Sequence, residues 1–246
     1  MKSKLDNLSI VFPIYKDELT VESLVFKCIK LCEQLDIKSW EIVIVNDGSP
    51  DQAGVICDRL ASQFNQIKVI HHAKNLGYGE AIKTGLKFAS YENILQTDGD
   101  DEYDIFDFYK FLKVMHNYDL IITFRYKKLY SNSRIFISHL YNVLVRFLFR
   151  TKYRDISTGL RFLKKSVIDD FELISQSPFI GAEIVLRSMY AGYSIGEVGI
   201  QTYPRTFGSG SSTSMKNIFH TIKDLFLIRK QIFSDNYMNA IGRNRP

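Results

Sequence analysis

Apolar residues in the first half of the chain gather into short runs, LSIVF, EIVIV, IKVIH, NILQ and DLIIT, separated by longer segments of helical period. Compact runs of this kind, with little polar alternation, predict strands buried on both faces. The segments between them predict helices over 18–35, 52–64, 79–89 and 105–115. Strand and helix in strict alternation is the pattern of an α/β fold whose parallel sheet is covered by helices on both sides.

In such sheets ligands bind beyond the carboxyl ends of the strands. That rule gathers four loops at one edge: PIYKDE, NDGSPD, HAKNLGYGE and TDGDDEYD, all rich in Gly, Asp, Asn or Pro. The second half is less regular. It offers a basic apolar helix over 135–149, the segment DISTGLRFLKK, a helix near 182–191, strands within 194–203 and a last helix over 217–233. No repeat or low-complexity tract divides the chain, so one domain is expected.

Composition changes this picture in two places. The chain carries 32 Lys+Arg against 27 Asp+Glu, a formal charge of +5, yet 120–154 holds eight Lys/Arg and no acid. The apolar helix inside that stretch and the last helix have two readings: amphipathic elements packed on the core, or helices lying on an anionic membrane surface. Nucleic acid is a poorer partner, because the cations are interleaved with aliphatics rather than gathered into a polar stripe. Neither a secretory signal nor an apolar stretch of spanning length is visible, and three cysteines, Cys28, Cys32 and Cys57, read as buried free thiols. The expected location is cytoplasmic, peripheral on the cytoplasmic face of a membrane.

The second place is LQTDGDDEYD, where five carboxylates fall within seven residues. Two carboxylates about 4 Å apart repel by roughly 4 kcal/mol at an effective dielectric of about 20, so the cluster calls for solvent, protons or a cation. Asp98 and Asp100 flank a glycine at a strand tip and can aim at one point, where a divalent ion would bridge them to phosphate oxygens. The alternative is a solvated acidic turn that starts a helix. Asp47, at the tip of the second strand, suits a base or ribose contact or equally a helix cap. Gly77 and Gly79 precede a helix and let backbone approach a diphosphate, although neither a dinucleotide fingerprint nor a P-loop is complete.

Taken in order, SIVFPIYKDE, EIVIVNDGSPD, NLGYGEAIKTGL, LQTDGDDEYD, DISTGLRFLKK and GYSIGEVGIQTYPRTFGSGSS resemble glycosyltransferase family 2, and within it the dolichol-phosphate mannose synthase-like branch. The resemblance implies a GT-A fold: a Rossmann-like, mostly parallel sheet flanked by helices over 1–215, followed by an amphipathic helix and tail over 216–246. It implies inverting transfer of one sugar from a UDP- or GDP-sugar, with Mg²⁺ or Mn²⁺. Carried over by position, Pro13, Tyr15 and Asp17 line the nucleobase and ribose pocket with Asp47 beside the base. Asp98 and Asp100 are the metal pair, with Glu102 as a third ligand. Arg125, Arg134 and Arg205 hold phosphate, and Arg161 is either a phosphate ligand or structural. Gly210 stands where the family pattern has serine.

Two acceptors follow. A polyprenyl phosphate is already ionised and needs no general base. A hydroxyl of a glycan or glycolipid needs a carboxylate, for which Glu183 and Asp155 are the candidates. Glu183 is also well placed as a helix-start acid. A nucleotidyltransferase is disfavoured by the absence of a Gly-rich basic loop after the first strand. The non-enzymatic alternative is a degenerate relative acting as a nucleotide-sugar or membrane-surface binding module.

Overall fold

The computed structural model describes residues 5–126, 132–202 and 215–234, without the side chains of 132–134, 136, 215 and 216. Three strand–helix units open the chain: β1 (Asn7–Ile14), α1 (Val21–Gln34), β2 (Ser39–Asn46), α2 (Ala53–Gln63), β3 (Ile67–His71) and α3 (Tyr78–Phe88). Then come β4 (Asn93–Gln96), α4 (Phe108–Phe111), β5 (Leu120–Arg125), α5 (Asn132–Phe149), β6 (Arg161–Lys164), α6 (Lys165–Asp169), α7 (Ile180–Tyr190), β7 (Ile195–Ile200) and α8 (Met215–Ile232).

The strands form one seven-stranded sheet in the order β3-β2-β1-β4-β6-β5-β7. All neighbours are parallel except β6, which runs antiparallel to both β4 and β5. The sheet is mostly parallel, as the family resemblance implies, and β6, RFLK, is a strand that the hydrophobic pattern did not separate from its surroundings. Its reversal matters: Arg161 opens β6 opposite Gln96, the last residue of β4, and so arrives at the ligand edge.

Side-chain alternation sorts the core into two layers. From β1 and β2, Leu8, Ile10, Phe12, Ile42 and Ile44 join the layer packed under α1 and α2, which includes all three buried thiols. Val11 and Val43 face the other layer, with α3, α7 and the inner faces of α5 and α8. The helix expected over 105–115 is broken instead into 3₁₀ turns at Ile105–Asp107 and Met115–Asn117 around α4. Ile105, Phe108 and Phe111 are all fully buried, and their spacing of three suits 3₁₀ winding better than an α-helix.

The chain leaves β1 toward β2 and β3 on one side, then returns to place β4 on the other. A crevice opens at such a reversal, beyond the carboxyl ends of β1 and β4. No helix among the described residues is long and apolar enough to cross a membrane.

Candidate functional site

A cavity of about 540 Å³ occupies that crevice, and its walls include Pro13, Tyr15 and Asp17 after β1, Asp47 after β2, Gly77 and Tyr78 before α3, and Asp98, Asp100 and Glu102 after β4. Arg125 at the end of β5 and Arg161 at the start of β6 also line it. Five carboxylates thus face two guanidiniums, an excess of negative charge suited to a cation. The oxygen-only donor set of Asp98 and Asp100 fits Mg²⁺ or Mn²⁺, which commonly take one or two carboxylates and fill the remaining positions with water and substrate phosphate. Among the described residues, no group of three or more His, Cys, Asp or Glu forms a ready-made metal cage. Glu102 is buried on the same wall, and its backbone N–H donates to Asp100 Oδ1 at 3.1 Å.

Asp98 is fixed from two sides. Tyr78 donates its hydroxyl to Asp98 Oδ1 at 2.6 Å, and a Cβ at Gly159 would overlap the same carboxylate. Burial, and then the adjoining Asp98 charge, push the Tyr78 hydroxyl well above the usual tyrosine range, so it stays a donor. Tyr78 falls within NLGYGEAIKTGL, yet nothing in its local pattern distinguishes it from a core aromatic. Gly159 likewise has no signal in the sequence beyond a turn.

Asp47 lines the cavity but does not present a free carboxylate to a base. Its Oδ1 accepts from the Leu76 N–H at 2.8 Å and pairs with His72 Nδ1 at 2.7 Å, while Oδ2 accepts from the Gly77 N–H at 2.9 Å. Since the carboxylate can only accept, His72 Nδ1 carries the proton. Asp47 therefore ties the tip of β2 to the loop ahead of α3. Gly77 has φ +102°, a conformation that a side chain would strain, and this turns the α3 N-terminus toward the cavity. Gly79 is instead a packing position, because a Cβ there would strike the backbone of Ser175 and Gln176.

Arg125 lies against Asp155, donating from Nε at 2.9 Å and Nη2 at 2.7 Å to Oδ2. Arg161 is 1% exposed and donates to the Gly181 and Thr158 carbonyls. Its guanidinium is drawn down by burial, against the pull of Tyr78 and Asp98. These contacts give Arg161 a structural role in bracing the wall behind the acidic loop.

Glu183 requires a correction. It is 0% exposed and accepts from the N–H of Ile174 and Ser175 and from Arg187 Nε at 2.7 Å, inside the protein rather than on the cavity wall. An acid at a helix start satisfies nearby N–H groups as readily as it serves chemistry, and here it does the former. Asp101 and Asp104 are not among the cavity's lining residues: Asp101 pairs with Lys27, and Asp104 caps the first 3₁₀ turn by accepting from the Phe106 N–H. The Arg134 side chain and all of Arg205 lie outside the described residues. Two residues of α8, Asn217 and His220, line the cavity unannounced by any motif.

Comparison with known proteins places this geometry. The family model for glycosyl transferase family 2 matches residues 9–172. An undecaprenyl-phosphate 4-deoxy-4-formamido-L-arabinose transferase of Sodalis glossinidius is 26% identical over 216 residues, covering 87% of this chain and 65% of that protein. A dolichyl-phosphate beta-glucosyltransferase of Trichomonas vaginalis is 31% identical over 105 residues, 41% of this chain and 32% of that protein. The chain thus spans less than two thirds of these curated relatives. Among solved structures, glucosyl-3-phosphoglycerate synthase of Mycobacterium tuberculosis, in complex with Mn²⁺ and UDP-glucose, shares the fold with a TM-score of 0.63 at 14% identity, covering 97% of this chain and 80% of that one.

Proposed function

Because the chain belongs to glycosyl transferase family 2, we propose that it moves one sugar, with inversion, from a nucleoside-diphosphate sugar to a polyprenyl phosphate at a membrane surface. The observation that carries this is the crevice beyond β1 and β4, whose wall combines the Asp98, Asp100 and Glu102 carboxylates with Arg125. Asp98 and Asp100 would hold the divalent ion, with Glu102 beside them. Such an ion, when bound, supplies charge stabilisation to the departing diphosphate.

The remaining chemistry belongs to the chain's own residues. Tyr78 holds Asp98 in one orientation, and Asp47 holds the Gly77 loop where backbone can approach a diphosphate. Arg125, kept in place by Asp155, meets phosphate charge. An acceptor phosphate oxygen forms the new bond to the anomeric carbon from the face opposite the leaving group. The bond from that carbon to the diphosphate breaks, and the nucleoside diphosphate leaves with its electron pair. A phosphate needs no base for this step, which accords with the two base candidates being engaged elsewhere: Glu183 in the interior and Asp155 on Arg125. The curated relatives named for polyprenyl-phosphate acceptors support the same choice.

Membrane attachment is supported by the outward faces of α5 and α8. Phe147 is 80% exposed and Phe219 67%, with Leu140, Val143 and Phe226 exposed beside them. Exposed apolar faces of this kind mark interaction surfaces, and the basic residues of the same helices suit anionic headgroups. Co-sedimentation with anionic vesicles that weakens as salt rises is expected, and recovery wholly in the supernatant at low salt contradicts the attachment.

The direct test offers labelled UDP- and GDP-sugars with Mn²⁺ to undecaprenyl phosphate and to a soluble oligosaccharide. Label is expected in the lipid extract, and Asp98→Asn and Asp100→Asn are each expected to reduce it by about 10²–10³-fold. Label appearing only on the oligosaccharide, or full turnover in both variants, overturns the proposal.

A further inference from the structure

Helix α8 presents two opposed faces to two different environments. At 100° per residue, Asn217, His220, Asp224, Ile228 and Gln231 fall on one side of the helix. That side faces the body of the protein, with His220 still exposed. Asn217 and His220 line the cavity, Asp224 accepts from the N–H of Ser177 at 3.1 Å, and Ile228 is fully buried. Phe219, Ile222 and Phe226 fall on the opposite side and are 67%, 46% and 58% exposed.

Helix α5 carries a second exposed apolar side. The Phe149 and Phe233 rings meet at a tilt with centroids 6.4 Å apart, and Arg229 Nε donates to the Leu148 carbonyl, so the two helices meet near their carboxyl ends. Exposed Ile137, Leu140, Val143, Leu144 and Phe147 form the apolar surface along α5. The two helices bring it charge of one sign: α5 has no acid, and the one acid of α8, Asp224, is turned to the Ser177 N–H. A lipid surface bearing anionic groups matches both the apolar face and the cations around it. A soluble glycan matches neither.

We propose that α8 is the acceptor wall of the site, resting on the lipid-phosphate acceptor proposed above. The Asn217 amide and the His220 imidazole donate hydrogen bonds to the acceptor's phosphate within the cavity. Phe219, Ile222 and Phe226, on the other side of the same helix, sit in the lipid from which that acceptor comes. Bilayer contact and headgroup recognition are thereby joined in one rigid element, and the hydrocarbon chain has only the width of a helix to cross.

The experiment compares acceptor kinetics of the full chain with undecaprenyl phosphate in vesicles and with citronellyl phosphate in solution. Asn217→Ala and His220→Ala are expected to raise the acceptor KM by about tenfold or more for both, the worth of one hydrogen bond to a charged group. The donor KM stays unchanged, and His220→Gln, which keeps an N–H donor, recovers most of the loss. Phe219→Ser combined with Phe226→Ser is expected to lower the preference for the long acceptor over the short one by about tenfold. Urea midpoints of all variants identify any that fail to fold. Donor and acceptor KM rising together, or an acceptor KM unmoved in the α8 variants of an active enzyme, overturns the acceptor wall alone. Absence of any lipid-phosphate product from the wild type overturns the acceptor assignment, and this inference with it.

Discussion

Replacing Glu183 with glutamine separates a structural carboxylate from a catalytic one. The side chain is 0% exposed, with Arg187 Nε at 2.7 Å and the Ser175 N–H at 2.8 Å on its oxygens. Glu183→Gln preserves volume and keeps one carbonyl acceptor, but removes the charge that neutralises buried Arg187. Breaking a buried pair by removing one partner costs about 3–5 kcal/mol. Against a typical total of about 5–15 kcal/mol, that is a large share of the protein's stability. With a urea m-value of roughly 3 kcal/mol/M, the unfolding midpoint should fall by about 1–1.7 M. Turnover per folded molecule should hold near the wild-type level. Replacing both members by leucine should restore much of the loss, because a buried ion pair exchanged for well-packed apolar residues is often neutral or stabilising. A general base would behave in the opposite way: loss of proton transfer lowers kcat by about 10²–10⁴-fold and leaves the midpoint alone. An unchanged midpoint with turnover down a hundredfold would refute the structural assignment.

The groups holding Asp98 give a second expectation. Tyr78→Phe removes the hydroxyl that orients the carboxylate and should weaken Mn²⁺ activation by about tenfold, the usual effect of losing a partner behind a metal ligand. Gly159→Ala, whose methyl group would displace the carboxylate, should cut turnover by about a hundredfold, whereas wild-type activity in both variants would show that the position of Asp98 is not critical. A third concerns acid stability. Burial pushes the Asp119 carboxyl up, but the Lys164 ammonium and the Ser194 hydroxyl and N–H outweigh it and bring the carboxyl down to about 2. Because the folded value lies below the ordinary 3.8, the stabilisation is complete above about pH 4 and is lost as pH falls toward 2. Asp119→Asn should flatten urea midpoints across that window, and an unchanged acid slope would count against the Lys164–Asp119–Ser194 link.

The sequence by itself determined every strand of the sheet but β6, and the edge at which the loops gather. Buried apolar runs can satisfy their backbone only in a covered sheet, and Gly- and Asp-rich connections mark where those runs end. It also singled out the acidic loop as a candidate site, since carboxylates packed around Gly99 are more than a turn requires. Tertiary structure alone decided how the candidates are used. Glu183 and Asp98 are both acids near element ends, and only the packing of Arg187 on one and Tyr78 on the other tells them apart. The reversal of β6, which brings Arg161 and Gly159 to the acidic loop, depends on pairing with β4 across more than sixty residues. His220 joins the cavity through the docking of α8, a contact without local periodicity to announce it. Local pattern encodes what a residue can do, whereas long-range packing sets which neighbour it does it to.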